Sequence, residues 1–267
     1  MFSDGSTPKK SINIKVENHA ILVLALSIQR PKSISPSLIG AIVGKKMAEV
    51  ASSSSGGAGT VIGVAAPNYK LECAWSLWYD KKQPKQRTST SEFRKQLHKI
   101  ATFDSIENFW KVYLFLKRPS QLDTNVNLYL FRDSCPAPMW ESYPRGGCWI
   151  LKVKKKMSGV SVLGKLWQDM VLALVGEQFE EPDVVGISIC IRSQEDLISV
   201  WNADSRNEQI KLKIGEKLKI ILDLELSTVI EYKAHADSMK DLSSFRGAKP
   251  FVYAAVVQTG LNPSGNS

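Results

Sequence analysis

Apolar and polar side chains alternate in some stretches of the chain and recur with a helical period in others. Leu71–Tyr79, with Trp75 and Trp78, predicts a strand. Further strands are predicted near Ile100–Phe103, Leu128–Arg132, Cys148–Lys156, Val184–Arg192, Leu197–Trp201, Thr228–Tyr232 and Phe251–Val256. Three stretches follow the 3.6-residue period instead. Asp104-Ser105-Ile106-Glu107 is a capping signature that opens a helix to about Leu116. Val162–Phe179 carries the core stripe Leu163, Leu166, Trp167, Met170 and Leu174. Asn202-Ala203-Asp204-Ser205 leads into a helix to about Leu222. Asp80–Glu92 reads as a polar, basic loop, and Lys233 onward as loop apart from the last strand. Short hairpin links such as Ser193–Asp196 favour an α+β fold, a mostly antiparallel sheet of about eight strands with helices on one face. The other face is then open to a ligand.

Two helical positions carry a choice. At about 100° per residue, the apolar side chains of the 106–116 helix cover an arc roughly 200° wide, broader than one sheet face requires. Ile106, Trp110 and Leu114 lie at its outer edge. Either the whole helix is deeply buried, or it offers Trp110 to a partner. On the next helix, Leu172 falls about 180° from Leu163, beside Gln168 and Asp169. It is an exposed lone leucine or half of a docking site.

Residues 1–68 have no such pattern and read as a basic, disordered extension with a Gly/Ser linker at Ser52–Gly57. The apolar run Ala20–Ile28 is too short to span a bilayer; a buried strand, a weak targeting segment and a disordered tail all stay open. Residues 69–257 form the predicted domain and 258–267 a polar tail. Of 267 residues, 43% are hydrophobic and 23% charged, enough for a sizeable core. The net charge of +9 favours a polyanionic partner such as RNA. Lys152, Lys154 and Lys156 alternate on one strand face, solvated or guiding RNA. Cys73, Cys135, Cys148 and Cys190 form no CxxC pair, so no zinc site, no disulfide framework and a reducing compartment are expected. No glycine-rich phosphate loop, catalytic carboxylate pair or Cys–His or Ser–His signature is present, which argues against an enzyme and against a cofactor.

The stretch Pro138-Met-Trp140-Glu141-Ser-Tyr-Pro144-Arg-Gly-Gly-Cys-Trp149 concentrates the candidate chemistry. Trp140 can offer a flat face to a planar ligand. Glu141 beside it can accept two N–H bonds along one edge, which suits the paired donors of guanine. The bland alternative is a tryptophan stapling a surface loop, with Glu141 solvated.

Together with Trp75-Ser-Leu-Trp78, Phe103-Asp-Ser-Ile-Glu-Asn-Phe-Trp110, Trp167 through Gly176-Glu177 and Arg192 through Trp201, this stretch resembles the eukaryotic translation initiation factor 4E family, the messenger RNA 5′ cap-binding proteins. The resemblance covers about two thirds of the chain, from about Tyr69 to Val252. It implies a cupped antiparallel sheet with three helices on its convex side. It implies that Phe93 and Trp140 sandwich 7-methylguanine, that Glu141 reads the guanine edge, that Trp201 lies near the N7 methyl and that Arg192 contacts phosphate. It further implies that Ile106, Trp110 and Leu172 dock a short helix of the initiation scaffold 4G or of a 4E-binding protein. The chain would be a monomer of the cytoplasm, or also the nucleus, without a membrane. Phe93 stands where the founding member has Trp, Gln194 and Leu197 where it has lysines, Cys148 where it has a basic residue and Gln168 where it has a leucine. The segment Arg192-Ser-Gln-Glu-Asp-Leu-Ile-Ser-Val-Trp201 looks like the 4E-homologous protein subgroup or the third class. Two roles follow: a cap-binding protein of translation initiation or its repression, or a scaffold that keeps the fold and has lost useful cap binding.

Overall fold

A computed structural model describes residues 68–82, 89–155, 160–225 and 227–251. Strands β1 (Lys70–Lys81), β2 (His98–Ser105), β3 (Val126–Arg132), β4 (Gly147–Lys154), β5 (Val184–Cys190), β6 (Glu195–Asn202), β7 (Ile230–Ala234) and β8 (Lys249–Phe251) form one curved sheet. Its order is β2-β1-β3-β5-β6-β4-β7-β8, and every pairing is antiparallel. The helices are α1 (Thr90–Gln96), α2 (Ile106–Tyr113), α3 (Val160–Val175), α4 (Glu208–Ile221) and α5 (His235–Asp241). The α+β class and the eight strands agree with the pattern reading.

Period-two alternation sorts the strand side chains onto two faces. Leu128 and Leu130 of β3, and Trp149, Leu151 and Val153 of β4, join the core under α2, α3 and α4. Tyr129, Phe131, Cys148 and Ile150, their immediate neighbours, join a second core on the opposite, concave face. Both faces are therefore apolar, but only the convex one carries long helices.

The helix starts follow from local chemistry. Ser105 caps α2 by accepting from the Asn108 N–H. Glu107 does not close a capping box there; its carboxylate takes the Tyr69 N–H at 3.1 and 3.2 Å and fixes the entry to β1. Asn207 caps α4 through the Ile210 N–H at 3.1 Å. At the far end of α3, Glu177 grips Arg132 through two bonds of 2.7 and 2.6 Å, tying the helix layer to β3.

Three departures from the sequence reading stand out. The loop expected over Asp80–Glu92 gives way to α1, which starts at Thr90, so Phe93 sits on a helix. The loop expected after Lys233 contains α5. Leu172, expected opposite the core stripe, is 4% exposed; Ile106 and Trp110, at 3% and 8%, follow the deeply buried alternative for their helix. The turn at Pro119–Gln121 and α4 both pack against α3, so its C-terminal half, Val171 to Val175, is enclosed all round. The expected extension up to residue 67, the Ala20–Ile28 run, residues 83–88 of the basic loop, Lys156, strand residues 252–256 and the tail 258–267 lie outside the described residues.

Gly186 on β5 has no room for a side chain. An added Cβ would stand 2.4 Å from the Phe131 ring and 2.6 Å from the Leu130 carbonyl. Gly186→Ala is expected to cost about 1–3 kcal/mol, as overpacking does. Urea unfolding checks it, with a lower midpoint and an unchanged slope.

Candidate functional site

The concave face has an aromatic floor. Trp201 of β6 is 5% exposed and meets Phe131, Tyr143 and Tyr129 edge to face, with centroids at 5.3, 6.3 and 6.5 Å. Its indole N–H donates to Ser188 Oγ at 3.0 Å, so the ring cannot turn without losing a buried bond. Trp201, which the resemblance implied to lie near a ligand's methyl group, is part of the floor of the concave face.

On this floor rests the connection from β3 to β4. Tyr143 packs on Trp201 and Phe131 and donates its hydroxyl to the Pro136 carbonyl at 2.6 Å, closing the loop across its neck. His235, the first residue of α5, braces the loop from the other side. Its backbone N–H donates to the Gly146 carbonyl at 2.9 Å. Its Nδ1 lies 3.1 Å from the Tyr143 carbonyl, which requires the proton on that nitrogen, and its ring sits 4.4 Å from Trp201. Nε2 is buried without a partner among the described residues, and burial lowers the imidazole to about 4.

The braced loop forms a single 3₁₀ turn, Trp140–Ser142. Trp140 is half-buried against the concave core and Glu141 is exposed. Thr90, the first residue of α1, donates its hydroxyl to Glu141 Oε1 at 2.7 Å. Phe93 lies one turn further along α1, on the same side, half-buried against the same concave core as Trp140. Among the described residues, neither ring stacks on another aromatic. Two aromatic rings, one on α1 and one on the turn, thus border the same concave core, with the Glu141 carboxylate tied to the start of α1. That set can clasp a flat ligand and accept its edge donors.

Arg192 occupies the rim where β5 ends. Its Nη1 donates to Asn127 Oδ1 at 2.8 Å and to the Ile191 carbonyl at 2.9 Å. Asn127 in turn donates to both oxygens of Asp80, at 2.9 and 3.1 Å, and Tyr129 adds its hydroxyl at 2.7 Å. Burial raises the Asp80 carboxyl above its ordinary value, against the pull of these bonds. Leu197 is 1% exposed in the concave core and Gln194 is exposed, so neither adds a cation. Cys148 is buried under the floor, its thiol pushed up to about 12. Lys152, from the expected lysine stripe, is paired with Glu231 at 2.8 Å.

Phe93, Trp140 and Trp201 belong to one concave core, Glu141 is bonded to the start of α1, and Arg192 lies at the rim of the same face. Ile106 and Trp110 of α2 and Leu172 of α3 lie in the helix layer on the opposite face. Sequence reasoning missed Thr90, Tyr143, His235 and Asp80. Thr90 had a signal: Ser89-x-x-Glu92 is a capping box, and both of its bonds form. His235 had none, because its partner Tyr143 is 92 positions away.

The sequence profile of the family described as Eukaryotic initiation factor 4E matches residues 70–250. A rice protein, Eukaryotic translation initiation factor NCBP, is 36% identical over 181 residues, 67% of this chain and 76% of the rice protein. Its Arabidopsis thaliana namesake is 34% identical over 182 residues, 67% of this chain and 79% of that protein. Among solved structures, Ascaris suum eIF4E-3 with the m2,2,7G cap is 31% identical, with a TM-score of 0.58 over 63% of this chain and 92% of that one. Caenorhabditis elegans eIF4E-3 with the 4E-binding protein Mextli is 29% identical, with a TM-score of 0.59 over 65% and 97%.

His235 makes the brace sensitive to acid. The folded chain holds it neutral down to about pH 4, whereas the unfolded chain protonates it near the ordinary value of 6.5. Its contribution is therefore fully present above pH 6.5 and is lost as pH falls, at about 1.4 kcal/mol per unit, until about pH 4. Urea unfolding of wild type and His235→Asn at pH 7, 5.5 and 4.5 checks this: the stability gap between them is expected to shrink as the pH falls.

Proposed function

Because the chain belongs to the eukaryotic initiation factor 4E family, we propose that its concave site binds the 7-methylguanosine cap of messenger RNA and that it serves translation initiation or its repression. Catalysis has no part in this. The observation that carries the reading is the Thr90–Glu141 bond, which holds the helix of Phe93 against the turn of Trp140. A 7-methylguanine slides between the two rings with its N1–H and N2–H₂ edge on Glu141. The methylated base is cationic, so each ring adds a cation–π attraction to stacking worth about 1–3 kcal/mol per base. GTP lacks that charge and binds more weakly. The Ascaris suum relative is described with the m2,2,7G cap and with the m7G cap, which supports the reading.

A second surface serves a protein partner, the initiation scaffold 4G or a 4E-binding protein, as the Caenorhabditis elegans relative with Mextli suggests. The Trp110 indole N–H is buried without an acceptor among the described residues. A partner helix laid across α2 and α3 meets the layer that holds Trp110. This role persists even where cap affinity is weak. The chain acts as a monomer in the cytoplasm, with access to the nucleus; no helix among the described residues is long and apolar enough to cross a membrane.

Retention on a 7-methyl-GTP resin tests the cap reading. Elution by 7-methyl-GTP at concentrations where GTP fails is expected; equal elution by both contradicts it. Glu141→Gln replaces a doubly accepting carboxylate and is expected to cost about 1.5–3 kcal/mol of cap affinity, read by fluorescence titration. Trp110→Phe, which keeps an aromatic ring in the layer and removes the indole N–H, is expected to weaken binding of a 4E-binding peptide and leave resin retention intact.

A further inference from the structure

Ser89, Thr90 and Ser91 open α1, and all three hydroxyl side chains are on exposed residues. They do different work. Ser89 is the cap: its Oγ accepts from the Glu92 N–H at 3.3 Å, and its own N–H donates to the Glu92 carboxylate at 2.8 Å. Ser91 Oγ lies 3.1 Å from Ser89 Oγ. These contacts stay within the first turn. Thr90 instead reaches across 51 positions of the chain and donates to Glu141 Oε1 at 2.7 Å. The hydroxyl proton is what lets the two oxygens approach. A phosphoryl group in place of that proton turns the donor into an anion of about −1.5 to −2 charges, set beside another anion.

The surroundings of Thr90 do not compensate such a charge. The first turn of α1 already carries Glu92, and its basic residues, Arg94 and Lys95, sit in the last turn. A helix start favours an anion, but here the Glu92 N–H is taken by Ser89 Oγ and the Phe93 N–H by the Ser89 carbonyl. A phosphate on Thr90 therefore stands between the Glu92 and Glu141 carboxylates. The residue is also open to an enzyme. It lies at the end of the polar, basic stretch that begins at Lys81, and no residue of α1 is fully buried. A helix of seven residues holds little structure by itself, so its first turn opens locally at small cost.

We propose that Thr90 is a phosphorylation site whose modification turns the concave site off. A kinase that selects basic residues ahead of its target transfers the γ-phosphoryl group of ATP. The bond from Thr90 Oγ1 to phosphorus forms, the bond from phosphorus to the ADP oxygen breaks, and the hydroxyl proton passes to the base of the kinase. The phosphate then repels Glu141 from its place and parts α1, with Phe93, from the turn of Trp140. The inference rests on the cap reading of that slot and adds the means of its control.

Fluorescence titration with 7-methyl-GTP tests it on three forms of the full chain: wild type, Thr90→Val, and a chain with phosphothreonine encoded at position 90. Thr90→Val removes the bond without adding charge and is expected to weaken binding about twofold to tenfold, the worth of one hydrogen bond. Phosphothreonine is expected to weaken it further, to roughly tenfold to a hundredfold below wild type, because the charge-assisted hold of Glu141 on the base is lost as well. Phosphatase treatment restores the wild-type affinity. Incubation of wild type with ATP and protein kinase A, a kinase of the stated preference, is expected to place phosphate on Thr90, read by tandem mass spectrometry. Phosphate on other residues and none on Thr90 overturns the site. If the phosphothreonine chain binds 7-methyl-GTP as tightly as Thr90→Val, the switch is wrong and the cap reading stands. If wild type fails to bind 7-methyl-GTP, the cap reading falls and the switch with it.

Discussion

The indole of Trp201 carries the rest of the concave site. It is buried on the concave face, anchored by Ser188 and packed by Phe131 and Tyr129, and it meets Tyr143 and His235. Those two residues hold the 140–146 loop at its middle and at its end. A loop closed only by exposed backbone bonds would sample many shapes, and each would cost ordering free energy on binding. Here the ordering has been completed in folding, so Trp140 and Glu141 stand in place before any ligand arrives.

The two sides of the sheet use apolar surface differently. On the convex side, α2, α3 and α4 cover the strands, and Leu172 disappears into that layer. On the concave side, the floor is sealed by a loop and by two helices of seven residues each. Such short helices have little stability of their own. The capping box of Ser89 and Glu92 supports α1, and the buried Lys233 amine, bonded to Asp241 at 2.6 Å and to the Ser243 carbonyl at 3.0 Å, fastens the turn after α5. The elements that make the slot are therefore those held least by hydrophobic area and most by particular polar bonds.

This division explains what was legible in the chain. The strands show because both faces of the sheet bury side chains, so Leu128 to Phe131 and Cys148 to Val153 form strong apolar runs. The helices of the convex layer show because their apolar side chains recur with the helical period. Helices α1 and α5 are too short for a period to register, though Ser89 and Glu92 marked the first. Leu172 was misplaced because a helical wheel describes one helix and knows nothing of the turn at Pro119–Gln121 that packs beside it. Trp140, Glu141 and Phe93 were legible through the family resemblance and the chemistry of guanine. His235 and Asp80 were not, since each acts on residues dozens of positions away.

The most direct measurement is a crystal structure of the chain with 7-methyl-GTP. The account predicts the purine between the Phe93 and Trp140 rings, its N1–H and N2–H₂ edge on Glu141, and the 140–146 loop unmoved on Trp201, Tyr143 and His235. A ligand bound elsewhere, or a loop that rebuilds itself around the base, would contradict it.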